Sequence, residues 1–291
     1  MKASVLLVVK NEDAYIKKCV DSLLKQTFQD IEIIVLDNGS TDGTKSKIMS
    51  FDDPRITYLH EASVPGIAGL RNICVRAAKG DYLFFTDGDC VPGRHWIEEG
   101  AKALMDQDVL GVEGATYYQS SKKISIRDSN VYQYDPGEFM TCNIAYRRDA
   151  VLKAGLFDKA FRIGHEDRDL ALRIMKSGKI AFCPEMLVAH QKKTLNIKGL
   201  FHRAKRVKDM VHLIKIHSLN EQHKHGQQDR WSSRVLYPRK LIFILFPPLL
   251  ILTERYVSIK DIVFGICKYF SYIYERLLIW RSAIKERIFL F

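Results

Sequence analysis

The chain has 291 residues, 47% hydrophobic and 27% charged, a composition that excludes disorder, collagen-like repeats and coiled coil and allows about two domains. Its six cysteines form no C-x-x-C pair, which argues against a zinc ribbon, a thioredoxin-type site or a disulfide framework and favours a reduced, cytosolic setting. The net charge of +11 is uneven, because residues 1–190 carry −2 and residues 191–291 carry +13.

The first part of the chain alternates between two apolar patterns. Ser4–Val9 is a continuous Val- and Leu-rich run broken by Lys10, Asn11 and Glu12, so we expect a buried strand and no secretory signal. From Ala14 the apolar residues recur on one helical stripe. Further strands are predicted at 31–36, 56–59 and 82–86, and further helices ending near Phe51 and spanning 68–78. This alternation predicts an α/β fold, a wound, mixed but mostly parallel sheet flanked by helices, with ligands at the carboxyl ends of the strands.

The signals weaken after the fourth strand. Strands are predicted at 109–118 and 141–146, separated by a polar loop at 119–138 that we expect at the surface beside the site. Residues 167–176 are predicted to be helical and 180–190 extended.

The last part of the chain has another character. Residues 241–252 are uncharged and mostly apolar, but the run contains Pro247-Pro248 and is shorter than the roughly 20 residues that span a bilayer. Beyond it, apolar residues recur every three or four positions opposite charged residues, four basic and one acidic, which is typical of an amphipathic helix in a membrane interface. The charged residues are Lys260, Lys268, Glu275, Arg281 and Lys285. The alternative is a helix that packs on its own domain or on a second subunit. The apolar positions are Ile259, Val263, Ile266, Phe270, Ile273, Leu277, Trp280, Ile284 and Ile288.

The basic block of this tail predicts a surface for phosphates, those of an anionic membrane or of nucleic acid, or else a merely solvated face. Long apolar stretches alternate with the charges, which favours an anionic membrane surface and predicts no nucleic acid partner. We therefore expect a catalytic domain at 1–215 and a helical, membrane-associating tail at 216–291. The pattern predicts no particular oligomeric state.

Asp87-Gly88-Asp89 places two carboxylates on a tight turn at the end of a predicted buried strand. Such a pair can hold Mg²⁺ or Mn²⁺ and, through the ion, a diphosphate. A turn that only caps the next helix is equally compatible with the motif. A third interpretation is the aspartyl-phosphatase pattern, Asp-x-Asp after an apolar strand, in which the first Asp is a nucleophile.

Two further groups could take part in chemistry. Glu166-Asp167 begins a predicted helix, where capping and the helix dipole favour carboxylates, but either residue could also remove a proton from an incoming hydroxyl. His190 ends a predicted strand. Although a lone His is more often merely packed or exposed, its imidazole would complete a metal site with Asp87 and Asp89.

Nucleotide-binding candidates follow from strand and helix ends. Asp37 ends the second predicted strand, and Arg71, near the start of a predicted helix, could reach a phosphate. The chain has no G-x-G-x-x-G after a strand and no P-loop, so a nucleotide would be held through metal and side chains.

Three ordered blocks of sequence carry a family resemblance over about residues 3–190. They are SVLLVVKNEDAYIKKCVDSLLKQTFQDIEIIVLDNGSTDGT, GIAGLRNICVRAAKGDYLFFTDGDCVP, and GHEDRDLALRIMKSG followed by His190. Together they resemble the inverting family 2 glycosyltransferases with the A-type fold. The resemblance removes the phosphatase interpretation, which would leave the first block unexplained and needs a second acidic motif.

The resemblance implies a nucleotide-diphospho-sugar donor, Mn²⁺ or Mg²⁺ as cofactor, and single displacement without a covalent sugar intermediate. It implies Asp37 near the base, Arg71 near the ribose or diphosphate, Asp87 on ribose and metal, Asp89 and His190 on the metal, Asp167 as catalytic base and Glu166 as its neighbour. Val9, Asn11, Glu12 and Asn38 are the other nucleotide-binding candidates. Val9-Lys10-Asn11-Glu12 replaces a frequent proline-containing sequence, and Asn38 replaces a frequent aspartate.

Gln227-Gln228-Asp229-Arg230-Trp231 fits the acceptor motif of processive polysaccharide synthases and makes Arg230 and Trp231 acceptor candidates. The sequence lacks the many spanning helices of a secretion channel, so we predict single-sugar transfer. The expected acceptor is a lipid-linked or cell-surface glycan, and the expected location is cytoplasmic, peripheral on the inner face of the cell membrane.

Overall fold

The structure, a computed structural model, describes residues 2–118, 125–129, 134–191, 193–218, 256 and 258–287. The chain divides into two compact units. The first comprises Met1–Gln119, Val131–Arg162 and Glu166–Gln191, and the second Ser120–Asn130, Ile163–His165 and Lys192–Phe291. The sequence-based boundary between residues 215 and 216 stays a prediction.

Over its described residues, the first unit contains eight strands and six helices. The strands are β1 (Ala3–Val9), β2 (Ile31–Asp37), β3 (Ile56–His60), β4 (Tyr82–Phe85), β5 (Cys90–Pro92), β6 (Val109–Tyr118), β8 (Ile144–Arg147) and β9 (Lys179–His190). The helices are α1 (Ile16–Leu24), α2 (Thr44–Met49), α3 (Ile67–Ala77), α4 (Trp96–Ala103), α5 (Arg148–Lys153) and α6 (Glu166–Ile174).

These strands form one sheet in the order β3-β2-β1-β4-β8-β6-β9-β5. The pairs β2–β3, β1–β2, β1–β4 and β6–β9 are parallel, whereas β8 and β5 run antiparallel to their neighbours. The predicted wound, mostly parallel sheet is therefore confirmed. Its six co-directional strands all end at one edge.

Helices cover both faces of this sheet, which explains the continuous apolar run of β1. Val5 and Leu7 point to the face covered by α1 and α4, whereas Leu6 points to the face covered by α3, α5 and α6. Because each face is buried, successive residues of the strand are apolar from Val5 to Val9.

The second unit contains the short pair β7 (Asp128–Ser129) and β10 (Lys193–Thr194), and the helices α7 (Ile197–Ala204), α8 (Val207–Ser218) and α9 (Ile259–Glu286). In α9, Phe264 packs with Leu200 of α7, and Ile279 packs with Val211 of α8. Ser258 and Asp261 form a capping box that begins α9.

The predicted amphipathic helix of the tail is thus confirmed from Ile259 to Glu286, while Ile288 lies outside the described residues. The apolar run 241–252 and much of the predicted loop 119–138 also lie outside them. Over the part of the chain that can be described, no helix is both long enough and apolar enough to cross a bilayer.

Candidate active site

The carboxyl edge of the sheet collects most of the predicted site residues. Val9 ends β1 and lies in register with Asp37, which ends β2. The Asp87-Gly88-Asp89 turn follows β4, the other neighbour of β1, and His190 ends β9. Since parallel strands end together at one edge of a sheet, the wound topology itself brings these separate segments together.

Asp87, Asp89 and His190 form one cluster with Cys90, and their ligand atoms all lie within 4.8 Å of one another. The antiparallel pairing of β5 with β9 places Cys90 directly opposite His190. Asp89, Cys90 and His190 are buried, and Asp87 is partly exposed. The cluster therefore has one accessible side, as a metal shared with a ligand would need.

The hydrogen bonds of His190 favour a metal-binding tautomer. Nδ1 lies 2.9 Å from the Gln191 carbonyl oxygen. A carbonyl can only accept, so Nδ1 carries the proton and donates, which leaves the Nε2 lone pair of the neutral ring for a metal. Nε2 lies 3.6 Å from Asp89 Oδ2. Two carboxylates and one such imidazole suit a divalent cation such as Mn²⁺ or Mg²⁺.

Gly88 keeps the acidic turn close to the first strand. A Cβ at this position would lie 2.9 Å from Val9 Cγ1 and 3.1 Å from Glu12 Cγ. Burial raises the pKa of the nearby Cys19 thiol, and the negative charges of Asp89, Asp87 and Glu12 raise it further. The carboxylates of Asp87, Asp89 and Glu12 therefore lie close enough to Cys19 to act on it electrostatically, and their negative charges favour a cation.

Asn11 and Asn38 join the loops after β1 and β2. Asn11 has a left-handed backbone with φ of 56°, and its side-chain oxygen accepts a hydrogen bond of 2.8 Å from the Thr41 N–H. The Asn38 N–H donates to the Val9 carbonyl at 2.8 Å, and the Glu12 N–H donates to Thr44 Oγ1 at 2.8 Å. The structure therefore brings together the predicted nucleotide-binding residues Val9, Asn11, Glu12 and Asn38.

Asp37 is buried, and both of its carboxylate oxygens accept hydrogen bonds. One accepts from the Ser40 N–H at 2.7 Å and the other from the Tyr58 hydroxyl at 2.9 Å. Burial and then the Asp37 carboxylate raise the pKa of Tyr58 to about 12, so the phenol stays protonated and donates. Tyr58 was not predicted, because it lies in a short strand whose alternating pattern carries no functional signal.

Arg71, predicted near the donor, pairs with Glu166 in the structure. Its guanidinium donates to Glu166 Oε1, and both side chains are buried. Despite burial, the carboxylates of Glu166, Asp87 and Asp167 raise the pKa of Arg71. Burial, reinforced by Asp167 and opposed by Arg71, raises the pKa of Glu166. Arg71 is therefore the electrostatic link between the acidic turn and the start of α6, and its predicted contact with a ribose or diphosphate stays a prediction.

Asp167 is more accessible than Glu166. It is half-buried, and among the described residues its side chain accepts a hydrogen bond only from the Arg168 N–H, at 2.9 Å. The start of α6 is held in place by Arg168, which pairs with Glu138 at 2.7 Å. Neither Arg168 nor Glu138 was predicted, because the pair joins segments of weak pattern. Arg230 and Trp231 lie outside the described residues.

Comparison with known proteins supports one family. The chain matches the family described as "Glycosyl transferase family 2" over residues 4–158. It is 34% identical over 137 residues to glycosyltransferase GlyG of Streptococcus pneumoniae, which covers 46% of this chain and 44% of GlyG. The match thus spans less than half the length of that relative.

A second relative is named for its reaction. The chain is 27% identical to WfaP of Escherichia coli over 192 residues, which are 60% of this chain and 70% of WfaP. WfaP is named as a UDP-Glc:alpha-D-GlcNAc-diphosphoundecaprenol beta-1,3-glucosyltransferase. Among solved structures, the mannosyltransferase PcManGT of Pyrobaculum calidifontis, in complex with GDP-Man and Mn²⁺, has a TM-score of 0.63 over 98% of this chain and 87% of its own. At 16% identity this likeness shows a common fold.

Proposed function

Because the chain belongs to glycosyl transferase family 2, we propose that it transfers one sugar from a nucleotide-diphospho-sugar to a hydroxyl group of an acceptor. The observation that carries the proposal is the Asp87, Asp89 and His190 cluster at the carboxyl edge of the sheet. Arg71 connects this cluster electrostatically to Glu166 and Asp167, the pair of carboxylates that could accept a proton. A cation site and a base thus share one edge of one sheet.

The donor is proposed to lie across this edge. Asp87, Asp89 and His190 would hold Mn²⁺ or Mg²⁺, which when bound neutralises negative charge on the leaving diphosphate. The Asp37 carboxylate would accept a hydrogen bond from the nucleobase, and Ser40 and Tyr58 hold this carboxylate in a fixed orientation. Val9, Asn11, Glu12 and Asn38 form the adjoining wall, and Arg71 supplies a positive charge that interacts electrostatically with Asp87. The donor and the Mn²⁺ of PcManGT support this assignment by analogy of fold.

Asp167 is proposed as the catalytic base. Its half-buried carboxylate takes the proton of the acceptor hydroxyl while the hydroxyl oxygen forms a bond to the anomeric carbon. The bond from that carbon to the diphosphate oxygen breaks on the opposite face, so the configuration inverts and no covalent sugar intermediate forms. Glu166, already paired with Arg71, holds the arginine beside the base and orients the start of α6.

The acceptor is proposed to be a lipid-linked or cell-surface glycan, with the enzyme peripheral on the cytoplasmic face of the cell membrane. The name of WfaP, whose acceptor carries a diphosphoundecaprenol, supports a lipid-linked substrate. The concentration of positive charge in residues 191–291 supports an anionic membrane as the surface it meets. No described feature favours a nucleic acid partner.

Three variants of the full chain test the proposal. Asp167→Asn should lower kcat by about 10²–10⁴-fold and leave donor binding intact, because only the proton acceptor is lost. Asp89→Asn should instead weaken calorimetric binding of UDP- or GDP-sugars in the presence of Mn²⁺. Asp149→Asn, an exposed acid 61% accessible at its side chain, is the matched control and should change neither quantity.

The stereochemistry of the product is read by NMR of the anomeric proton. Retention of configuration would contradict single displacement, and undiminished turnover of Asp167→Asn would contradict the base assignment. Donor binding to Asp89→Asn as strong as to the unsubstituted chain would contradict the metal site.

A further inference from the structure

Helix α9 exposes an apolar stripe on the side opposite its packed face. Phe264, Leu278 and Ile279 are buried on the packed side. Eight large apolar side chains of the helix are exposed, from 47% at Val263 to 80% at Ile259. They are Ile259, Ile262, Val263, Ile266, Phe270, Leu277, Trp280 and Ile284. At 1.5 Å per residue the stripe is about 38 Å long. It is therefore a contiguous apolar surface and not a set of single, scattered apolar side chains.

The charges of α9 are divided between its two sides. Lys260, Arg281 and Lys285 are exposed, and at 100° per residue Arg281 and Lys285 lie along one border of the stripe. The three acids of the helix are Asp261, Glu275 and Glu286, and none of them is exposed. Asp261 is buried and accepts hydrogen bonds from Ser125 and Arg127, and Glu286 pairs with Lys215. All the exposed charge of the helix is therefore positive.

This pattern discriminates between possible partners. A second copy packed stripe to stripe would bring Lys260, Arg281 and Lys285 of both copies together with no exposed acid of α9 to pair with them, which is repulsive. Nucleic acid offers phosphates but no cover for long aliphatic side chains such as Ile266 and Leu277. An anionic bilayer offers both, acyl chains for the stripe and lipid phosphates for the cations.

We propose that the outward stripe of α9 lies flat in the interface of an anionic lipid bilayer, with Arg281 and Lys285 on lipid phosphates. The inference rests on the proposed membrane location and names the surface that makes the contact. Phe270 and Trp280 occupy the middle and the later part of the stripe, where aromatic rings suit the headgroup boundary.

The test is flotation of the full chain with vesicles of phosphatidylcholine, with and without 30% phosphatidylglycerol. Binding is expected on the anionic vesicles and should fall with added salt. The double variant Arg281→Gln/Lys285→Gln should weaken it about 25-fold, since each cation near an anionic surface contributes about fivefold. Phe270→Glu/Trp280→Glu, which places acids in the stripe, should reduce binding at least as much. Met49→Glu/Met105→Glu, at exposed methionines outside α9, is the matched control and should still bind.

Four results would overturn the proposal. The first is that the unsubstituted chain does not float with anionic vesicles. The second is that the Phe270→Glu/Trp280→Glu variant floats with them as well as the unsubstituted chain does. The third is a dimer in sedimentation velocity that this variant dissociates, which would assign the stripe to a second copy. The fourth is a large fall in Tm for this variant without vesicles, which would mean that other residues of the chain cover the stripe.

Transfer of sugar to a short water-soluble acceptor separates this inference from the proposed activity. The stripe variants should keep the turnover of the unsubstituted chain, because none of the substituted residues is a proposed base, metal ligand or donor-binding residue. Vesicle binding without any transfer would defeat the proposed function and leave the stripe assignment standing, whereas transfer without vesicle binding would do the reverse.

Discussion

The buried pair of Arg71 and Glu166 gives a prediction whose size depends on pH. Arg71 is 9% exposed and Glu166 4%, and Glu166 Oε2 has no hydrogen-bond partner within the structure described. Arg71→Met leaves the Glu166 carboxylate buried beside Asp167 without its counter-charge. Breaking a buried pair in this way typically costs about 3–5 kcal/mol.

Protonation of Glu166 limits that cost. A buried glutamate that has lost its cation takes up a proton, and from an ordinary pKa of 4.5 this requires about 1.4 kcal/mol for each pH unit above that value. The loss of unfolding free energy therefore has a ceiling of about 3 kcal/mol at pH 7 and about 1 kcal/mol at pH 5.5. The sign follows because the folded variant binds the proton more tightly than the unfolded chain, so its stability rises as the pH falls toward 4.5.

Urea unfolding measures both values. Fluorescence of the buried Trp96 reports on the first unit when Trp231 and Trp280 are replaced by Phe. Arg76→Met, an exposed arginine on the same helix, is the matched control and should cost less than about 0.5 kcal/mol. Adding Glu166→Gln to Arg71→Met should recover much of the loss at pH 7. An equal loss at pH 5.5 and pH 7, or strictly additive effects of the two substitutions, would refute the reasoning.

Three other predictions concern packing and titration. Gly114→Ala should lower the free energy of unfolding measured in urea by more than about 3 kcal/mol, because its Cβ would clash with the Met186 carbonyl oxygen, a backbone atom that cannot shift easily. A urea midpoint close to that of the unsubstituted chain would contradict this. Asp261→Ala should lower the free energy of unfolding by about 2–4 kcal/mol, since it removes the buried acceptor of Ser125 and Arg127 together with a helix cap. Asp149→Ala, at an exposed acid, should leave this free energy nearly unchanged. Equal losses in the two variants would contradict the role of the cap. Absorbance at 295 nm should show Tyr58 titrating with a pKa of about 12, and this pKa should move toward 10 in Asp37→Asn. Because the pKa is raised in the folded chain, any stability that this phenol contributes is present below pH 10 and is lost as the pH rises toward 12. An unchanged pKa in Asp37→Asn would exclude the Asp37 contact.

Local pattern was enough to predict the elements that are buried on two faces or on one stripe. β1 and β2 were predicted within a residue of their ends, because a strand covered on both faces is predominantly apolar. α9 was predicted from its period alone. β5, α4 and α5 were missed, since three to eight residues carry too little periodicity for either pattern to show.

The site divides in the same way. Residues at strand ends, such as Asp37, Asp89 and His190, could be placed at one edge because the wound topology fixes where parallel strands end. The contact of Arg71 with Glu166 could not be predicted, because it joins residues 95 positions apart and depends on how α3 and α6 pack. Cys90 was not predicted although it follows Asp89 directly, because its position opposite His190 depends on the pairing of β5 with β9.

The pairing of β5 with β9 has a consequence for biosynthesis. Cys90 and His190 are direct neighbours in the sheet, yet they lie 100 positions apart in the chain. A nascent polypeptide acquires both aspartates early and the imidazole only after β9 has emerged and folded back. Only the fully folded sheet would then bind a cation with high affinity, and a cation bound there would stabilise the folded chain relative to partly folded ones.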